Sequence, residues 1–165
     1  MLYGQWIIGN EELENALCVR DEVFAKEQGG LAEIDTDEFD KDASHIIVFD
    51  EEKPVATGRV YLAGEQYKIG SICVLKDYRS TGIGTLVFRS LLGKALGDGA
   101  REVFLSAQEQ AKSFYEKFGF MATGDAYPID IGGRECMYID MSVTQENVVA
   151  PSECSGGCSG CGGCG

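Results

Sequence analysis

A mixed α/β layer fold is the class this sequence predicts, on three observations. Helical and strand-like stretches alternate along the chain. Three strand-like runs between Ser44 and Leu75 follow one another across tight turns, which predicts an antiparallel meander. Finally, 44% of the 165 residues are hydrophobic, enough for one sizeable core and one domain.

The elements follow in order. Tyr3 to Ile8 predicts a first strand. Asn10 is a good helix cap, with Glu11 and Glu12 in the first turn; Leu13, Leu17, Arg20 and Phe24 then share one helical side, adjoined by Ala16 and Val23. Ser44 to Asp50, Val55 to Leu62 and Tyr67 to Leu75 predict the meander, turning at Glu51-Glu52-Lys53-Pro54 and at Ala63-Gly64-Glu65-Gln66. Gly82 to Leu96 is strongly helical and is stopped by Gly97-Asp98-Gly99. Val103 to Ser106 predicts a short buried strand, and Gln110 to Phe118 a helix ended by Gly119. Phe120 to Ala126 and Cys136 to Val143 predict two last strands around a Pro-Ile-Asp-Ile-Gly-Gly turn region. The domain boundary is expected near residue 146, giving a domain over 1–146 and a Gly/Ser/Cys-rich tail over 147–165.

Charge narrows the partners. The formal net charge of -13 argues against a nucleic-acid or anionic-membrane partner, both of which need a basic face; it favours a cationic partner such as an amine, or serves solubility alone. The N-terminal residues carry no basic segment followed by an apolar run, and no stretch is long and apolar enough to span a membrane, so a cytoplasmic protein is expected. Cys18, Cys73 and Cys136 lie in apolar segments and are expected to be buried, reduced thiols. Glu33 to Asp42 holds six acids in ten residues. An EF-hand is excluded, because with Asp35 first the required sixth-position Gly is Asp40 and the twelfth-position Glu is Ile46. The run predicts a solvated acidic loop, or a rim that attracts a cationic substrate.

The chemistry concentrates where the third meander strand ends. Arg79-Ser80-Thr81-Gly82-Ile83-Gly84-Thr85 forms a short loop running into a helix that begins in glycines. Gly82 and Gly84 let the backbone approach a ligand, and the amides at the helix start offer an anion site. A pyrophosphate fits there, with Arg79 adding a charge-assisted hydrogen bond. The loop is neither a Walker loop nor the six-position dinucleotide fingerprint, since Val87 stands where the third Gly is required. By itself Arg-x-x-Gly-x-Gly is also compatible with a plain glycine-rich connection.

Arg79-Ser80-Thr81-Gly82-Ile83-Gly84 resembles the CoA-pyrophosphate loop of the GNAT superfamily of N-acetyltransferases. Ala111-Lys112-Ser113-Phe114-Tyr115-Glu116-Lys117-Phe118-Gly119-Phe120 is similar to that family's helix-to-strand signature, in the expected order and at the expected spacing. Val19 to Gln28, the Asp35 to Asp40 acids, Ala43-Ser44-His45 and Ala107-Gln108 resemble the ElaA-like branch; Gly133-Arg134-Glu135-Cys136-Met137 departs from that branch's usual Pro-His pair. The resemblance spans roughly residues 3 to 143 and implies a mostly antiparallel central sheet with helices on both faces. It implies acetyl transfer from acetyl-CoA to a primary amine, by direct attack through a tetrahedral intermediate. Ile72, Cys73, Val74 and Leu75 are then expected to pair with pantetheine, a backbone N–H near Val74 to hold the oxyanion, and residues 80 to 85 to hold the pyrophosphate. Tyr115 matches the general acid that protonates the departing thiolate, and Gln108 a cofactor contact. Glu27, His45 and the acidic loop are the candidates for removing the acceptor's proton; His45, the one histidine, is also readable as a structural residue at the start of an apolar strand. The acceptor is expected to be a small cationic molecule, and the protein a monomer or homodimer.

From Pro151 onward no core-forming residue remains. Cys154, Cys158, Cys161 and Cys164 could hold zinc or an iron–sulfur cluster, but their order does not match the ferredoxin run and they lack folded support, so no metal is expected. Two other function classes stand beside acetyl transfer: a catalytically silent acyl-CoA sensor, and a metal or redox role carried by this tail.

Overall fold

The computed structural model describes residues 1–9, 12–23, 38–131 and 133–149. Its centre is one sheet of eight strands: β1 (Leu2–Ile8), β2 (Ser44–Asp50), β3 (Lys53–Ala63), β4 (Gln66–Val74), β5 (Glu102–Gln108), β6 (Met121–Ala122), β7 (Tyr127–Ile131) and β8 (Arg134–Thr144). The order is β1-β2-β3-β4-β5-β8-β6, with β7 paired to β8 beside β6. Every neighbouring pair is antiparallel except β4 with β5, which is parallel. A parallel pair needs a crossover, and α2 (Ile83–Gly97) supplies it.

Side-chain alternation sorts the helices onto opposite faces. Ile72 and Val74 of β4 point into the main core with Val87, Phe88, Leu91 and Ala95 of α2. Cys73, between them, points the other way, against Val19 of α1 (Glu14–Arg20) and Val23 just beyond it. α2 comes very close to β3: a Cβ on Gly58 would lie 2.7 Å from Leu91 Cδ1, so any larger residue there would displace the side chains of the helix. The short α3 (Lys112–Glu116) adds an aromatic cluster, in which Phe88 meets Phe114, Tyr115, Phe118 and Phe120 at ring-centroid distances of 4.7–5.8 Å.

The mixed sheet flanked by helices is the architecture expected, with local differences. The first hairpin turns on Glu51 and Glu52 alone, and Lys53 and Pro54 already belong to β3. Pro54 sits opposite Phe49 next to a bulge, where a strand tolerates the missing donor. The Pro128-Ile129-Asp130-Ile131 segment, expected to turn, is strand β7. It lies at the sheet margin and, among the described residues, pairs only with β8; Asp130 accepts a hydrogen bond from the Gly133 amide at 2.8 Å. α3 is shorter than the helix expected over Gln110 to Phe118, because a single tight turn over Glu109–Ala111 precedes it. Cys18 is exposed rather than buried, while Cys73 is buried. Residues 145–149 return over the domain: the Gln145 amide donates to Arg101 and the Val149 amide to Phe118. Asn10, Phe24 and the expected tail from Pro151 lie outside the described residues.

Candidate active site

The parallel ladder between β4 and β5 is short. It runs from Tyr67 opposite Val103 to Ile69 opposite Leu105, yet β4 continues to Val74 and β5 to Gln108. A bulge starts the divergence: Ser71 and Ile72 together face the single residue Gly58, and Ser71 has a φ of 53°. Beyond it the facing edges of the two strands form a gap at their C-terminal ends, where ligands bind in open α/β sheets. Alternation decides which groups face it. The Leu75 amide donates to Val55 of β3 and its carbonyl accepts from Tyr78, both at 2.9 Å. Cys73 is likewise turned toward β3, opposite Thr57. Of the four residues expected to meet pantetheine, Ile72 and Val74 therefore aim their main chain into the gap, while Cys73 and Leu75 are committed to β3. The Val74 carbonyl accepts a hydrogen bond from Arg79 Nε at 3.0 Å, which ties the loop to the edge of the gap.

The loop itself is built to expose main-chain donors. Ser80 and Gly82 both adopt left-handed backbone, with φ of 62° and 89°. For serine this conformation costs about 1–2 kcal/mol, the kind of outlier that marks a functional loop. α2 begins immediately after, and its first intrahelical bond joins the Leu86 amide to the Gly82 carbonyl. The amides of Ile83 and Gly84 precede that bond, no side chain caps them, and the first turn carries no acid. Proteins commonly place Ser, Asp or Glu there to satisfy those amides. Their omission at the start of a 15-residue helix leaves a positive dipole end for an anion. Thr81 is occupied locally, its hydroxyl donating to the Tyr78 carbonyl. Thr85 follows in the first turn of the helix.

Tyr115 lies in the aromatic cluster, 3% exposed, with its ring 5.1 Å from that of Phe88. Phe88 stands near the start of α2, so Tyr115 is held beside the helix that carries the loop. Gln108 ends β5 at the mouth of the gap, where it donates to the Tyr138 hydroxyl at 3.4 Å and accepts from Gln110.

The candidate bases fare differently. Glu27 and residues 33–37 of the acidic run lie outside the described residues. His45 is 0% exposed; its Nε2 sits 3.2 Å from the Asp40 carbonyl and its Nδ1 has no hydrogen-bond partner among the described residues. Burial, ahead of the neighbouring Arg20 and Arg59 charges, lowers its pKa and keeps the ring neutral. Asp40, expected in a solvated loop, is instead fully buried, with its carboxylate bridging two guanidinium groups: Arg20 at 3.2 Å and Arg59 at 2.8 Å. It balances two buried cations, which is why one acid of that run turns inward.

A cleft of about 450 Å³ opens on the α1 face, away from the pyrophosphate loop. Arg59, Tyr61, Lys68 and Gly70 line one side; Phe104, Ser106, Tyr127, Tyr138 and Asp140 line the other. Arg59 lies over the Tyr61 ring at 4.5 Å, and Gly70 leaves the floor between them bare. No motif announces this cleft. Its residues come from five strands, and only strand register brings them together. Among the described residues, no group of three or more His, Cys, Asp or Glu side chains could hold a metal ion. Cys154, Cys158, Cys161 and Cys164 lie outside those residues. No described helix is long and apolar enough to cross a membrane.

Comparison with known proteins gives this geometry a family. The model of the acetyltransferase (GNAT) family matches residues 11–120. An uncharacterized N-acetyltransferase of Bacillus subtilis, YjcF, is 41% identical over 122 residues, covering 74% of this chain and 87% of that protein. The crystal structure of Escherichia coli ElaA superposes with a TM-score of 0.75 at 25% identity, covering 86% of this chain and 99% of that one. An acyl-CoA N-acyltransferase from Pseudomonas aeruginosa superposes at 0.74, also at 25% identity and with the same coverage. With a diverging β4–β5 pair, an uncapped glycine start to α2 and these relatives, the chain belongs to the GNAT family, on its ElaA-like branch, as an acyl-CoA-dependent acetyltransferase.

Proposed function

We propose that the protein transfers the acetyl group of acetyl-CoA to a primary amine of a small molecule. The observation that carries this reading is the continuity of the gap-facing main chain of Ile72 and Val74 with the uncapped amides of Ile83 and Gly84. One surface thus offers strand-edge groups to an amide-containing pantetheine arm and helix-start donors to a pyrophosphate.

In this reading the neutral amine nitrogen attacks the thioester carbonyl directly, and the proton it sheds as the amide forms passes to solvent water, from which the Tyr115 phenolate is later reprotonated. The Val74 amide, aimed into the gap, donates to the developing oxyanion. As the intermediate collapses, the carbon–sulfur bond breaks and the Tyr115 phenol gives its proton to the leaving thiolate. A phenol of pKa about 10 is a competent donor to a thiolate of basicity about 8.5. Residues 80 to 85 hold the pyrophosphate, with Arg79 bracing the loop against Val74, and Gln108 contacts the cofactor at the end of β5. His45 takes no part as a base, because its ring is enclosed beside Asp40. The amine approaches through the cleft on the α1 face.

The test is release of free CoA thiol from acetyl-CoA across a broad panel of amines, with acetylated product identified by mass. Thiol release matched by N-acetyl product supports the reading. Saturable acetyl-CoA binding without product from any amine overturns it in favour of an acyl-CoA sensor.

A further inference from the structure

The cleft on the α1 face holds one tightly positioned carboxylate. Asp140 stands on β8 in the wall of the cleft, directly opposite Ser106 of β5. Its Oδ1 accepts two hydrogen bonds, from the Ser106 and Tyr127 hydroxyls, each at 2.6 Å. Its own main-chain carbonyl is also engaged, accepting from the Thr123 amide at 2.9 Å. The carboxylate is therefore fixed, with Oδ1 saturated, while Oδ2 receives no hydrogen bond from any described residue. Burial and the neighbouring Asp140 push the Tyr127 phenol above its ordinary pKa, so it remains a donor to that carboxylate at neutral pH.

The opposite wall has the complementary sign. Lys68 lines the same cleft and makes no ion pair with any described residue. Register places it on the face of Phe104 and Ser142, two strands from Asp140 and two residues along. Strand spacings of about 4.8 Å and rises of about 3.3 Å per residue put roughly 12 Å between the two Cα atoms. Arg59 is committed to Asp40 and to the Tyr61 ring, and serves as wall rather than as the cationic contact. The cleft is thus bipolar, an open carboxylate oxygen on one side and an ammonium on the other, with Phe104 and Ser106 of β5 between.

Resting on the acetyl-transfer reading, we propose that the acceptor is a small amphoteric amine: Asp140 Oδ2 draws its amino group in as the ammonium, which gives up a proton to solvent water before the freed nitrogen attacks, and its anionic group is directed to Lys68. A purely cationic amine satisfies only one wall, and a neutral one neither. Ser106 and Tyr127 are positioning residues that aim Oδ2 into the cleft.

The experiment compares three matched series on the full chain with acetyl-CoA: ω-amino carboxylates of increasing length, the corresponding ω-amino amides, and n-alkylamines. Charge-assisted contacts of this kind change kcat/KM by about 10- to 100-fold. The amino carboxylates are expected to exceed amide and alkylamine partners by at least about tenfold at an optimal length. Lys68→Met brings them down to the level of the amides, and Asp140→Asn lowers all three series mainly through KM. Acetyl-CoA titration of both variants reports folding and the donor site, which neither substitution touches. Equal or better use of alkylamines, or no response to Asp140→Asn in protein that still binds acetyl-CoA, overturns the inference and leaves the acetyl-transfer reading standing. Failure of the wild type to bind acetyl-CoA removes that reading, and the inference with it.

Discussion

The two sides of the sheet build binding surfaces in different ways. On the α2 face, the gap and loop are made of main chain: the edge of β4, two left-handed residues and an uncapped helix start, all within residues 70–85. On the α1 face, the cleft is made of side chains from β3, β4, β5, β7 and β8, spread from Arg59 to Asp140. A main-chain site serves a ligand common to a whole family, because its donors do not depend on side-chain identity. A side-chain site can change one residue at a time, so its ligand can be altered without disturbing the main-chain site.

The largest expected effect probes the point where proton transfer is assigned. Tyr115→Phe should lower kcat by about 10²- to 10⁴-fold while acetyl-CoA affinity stays within about twofold, since the ring packing is retained. Unchanged turnover would remove Tyr115 from the mechanism and leave it a member of the aromatic cluster. Next, Asp40→Asn should cost about 3–5 kcal/mol in a urea titration, because it strips the charge that balances buried Arg20 and Arg59. A cost under about 1 kcal/mol would mean that the guanidinium groups are balanced elsewhere.

The same contrast explains what could be read in advance. The meander, α2 and the loop were legible because their signals are local: alternation over a few residues, helical spacing, and glycines where left-handed backbone occurs at Gly82. The expectation of an oxyanion donor at Val74 came only from family resemblance, and the commitment of Leu75 to Val55 emerges only with the register. Asp40 was hidden in an acidic run, since nothing local separates the acid that faces two arginines from its exposed neighbour Asp42. β7 was masked by Pro128 and the glycines after it, which look like a turn when pairing with β8 is unknown. Asp140, Ser106 and Tyr127 carried no signal at all, because their convergence depends on three strands meeting in one register.

A smaller effect concerns pH. The His45 pKa is lowered in the folded protein, so the unfolded chain takes up a proton first as pH falls. Its contribution to stability is full above the unfolded value of about 6.5 and is lost as pH drops through the folded one. His45→Gln should therefore flatten the decline in stability below about pH 6.5, followed by urea midpoints at stepped pH. An unaltered slope would assign that decline to other groups. The smallest effect tests the main-chain character of the loop. Ser80→Gly relieves the left-handed strain at the price of a more flexible unfolded chain, for a net gain of about 0.5 kcal/mol, and should leave acetyl-CoA affinity within about twofold. A tenfold loss would show that the hydroxyl, not the backbone, holds the ligand.

The most direct measurement is calorimetric titration of acetyl-CoA into the reduced wild-type protein and into Gly82→Asp. The substitution puts a carboxylate and a strained left-handed side chain at the start of α2, where the space around Gly82 is open. The account predicts saturable one-to-one binding to the wild type and its loss in a variant whose thermal unfolding remains cooperative. Wild-type protein that is folded and does not bind acetyl-CoA, or a variant that binds it equally well, would contradict the assignment of this loop.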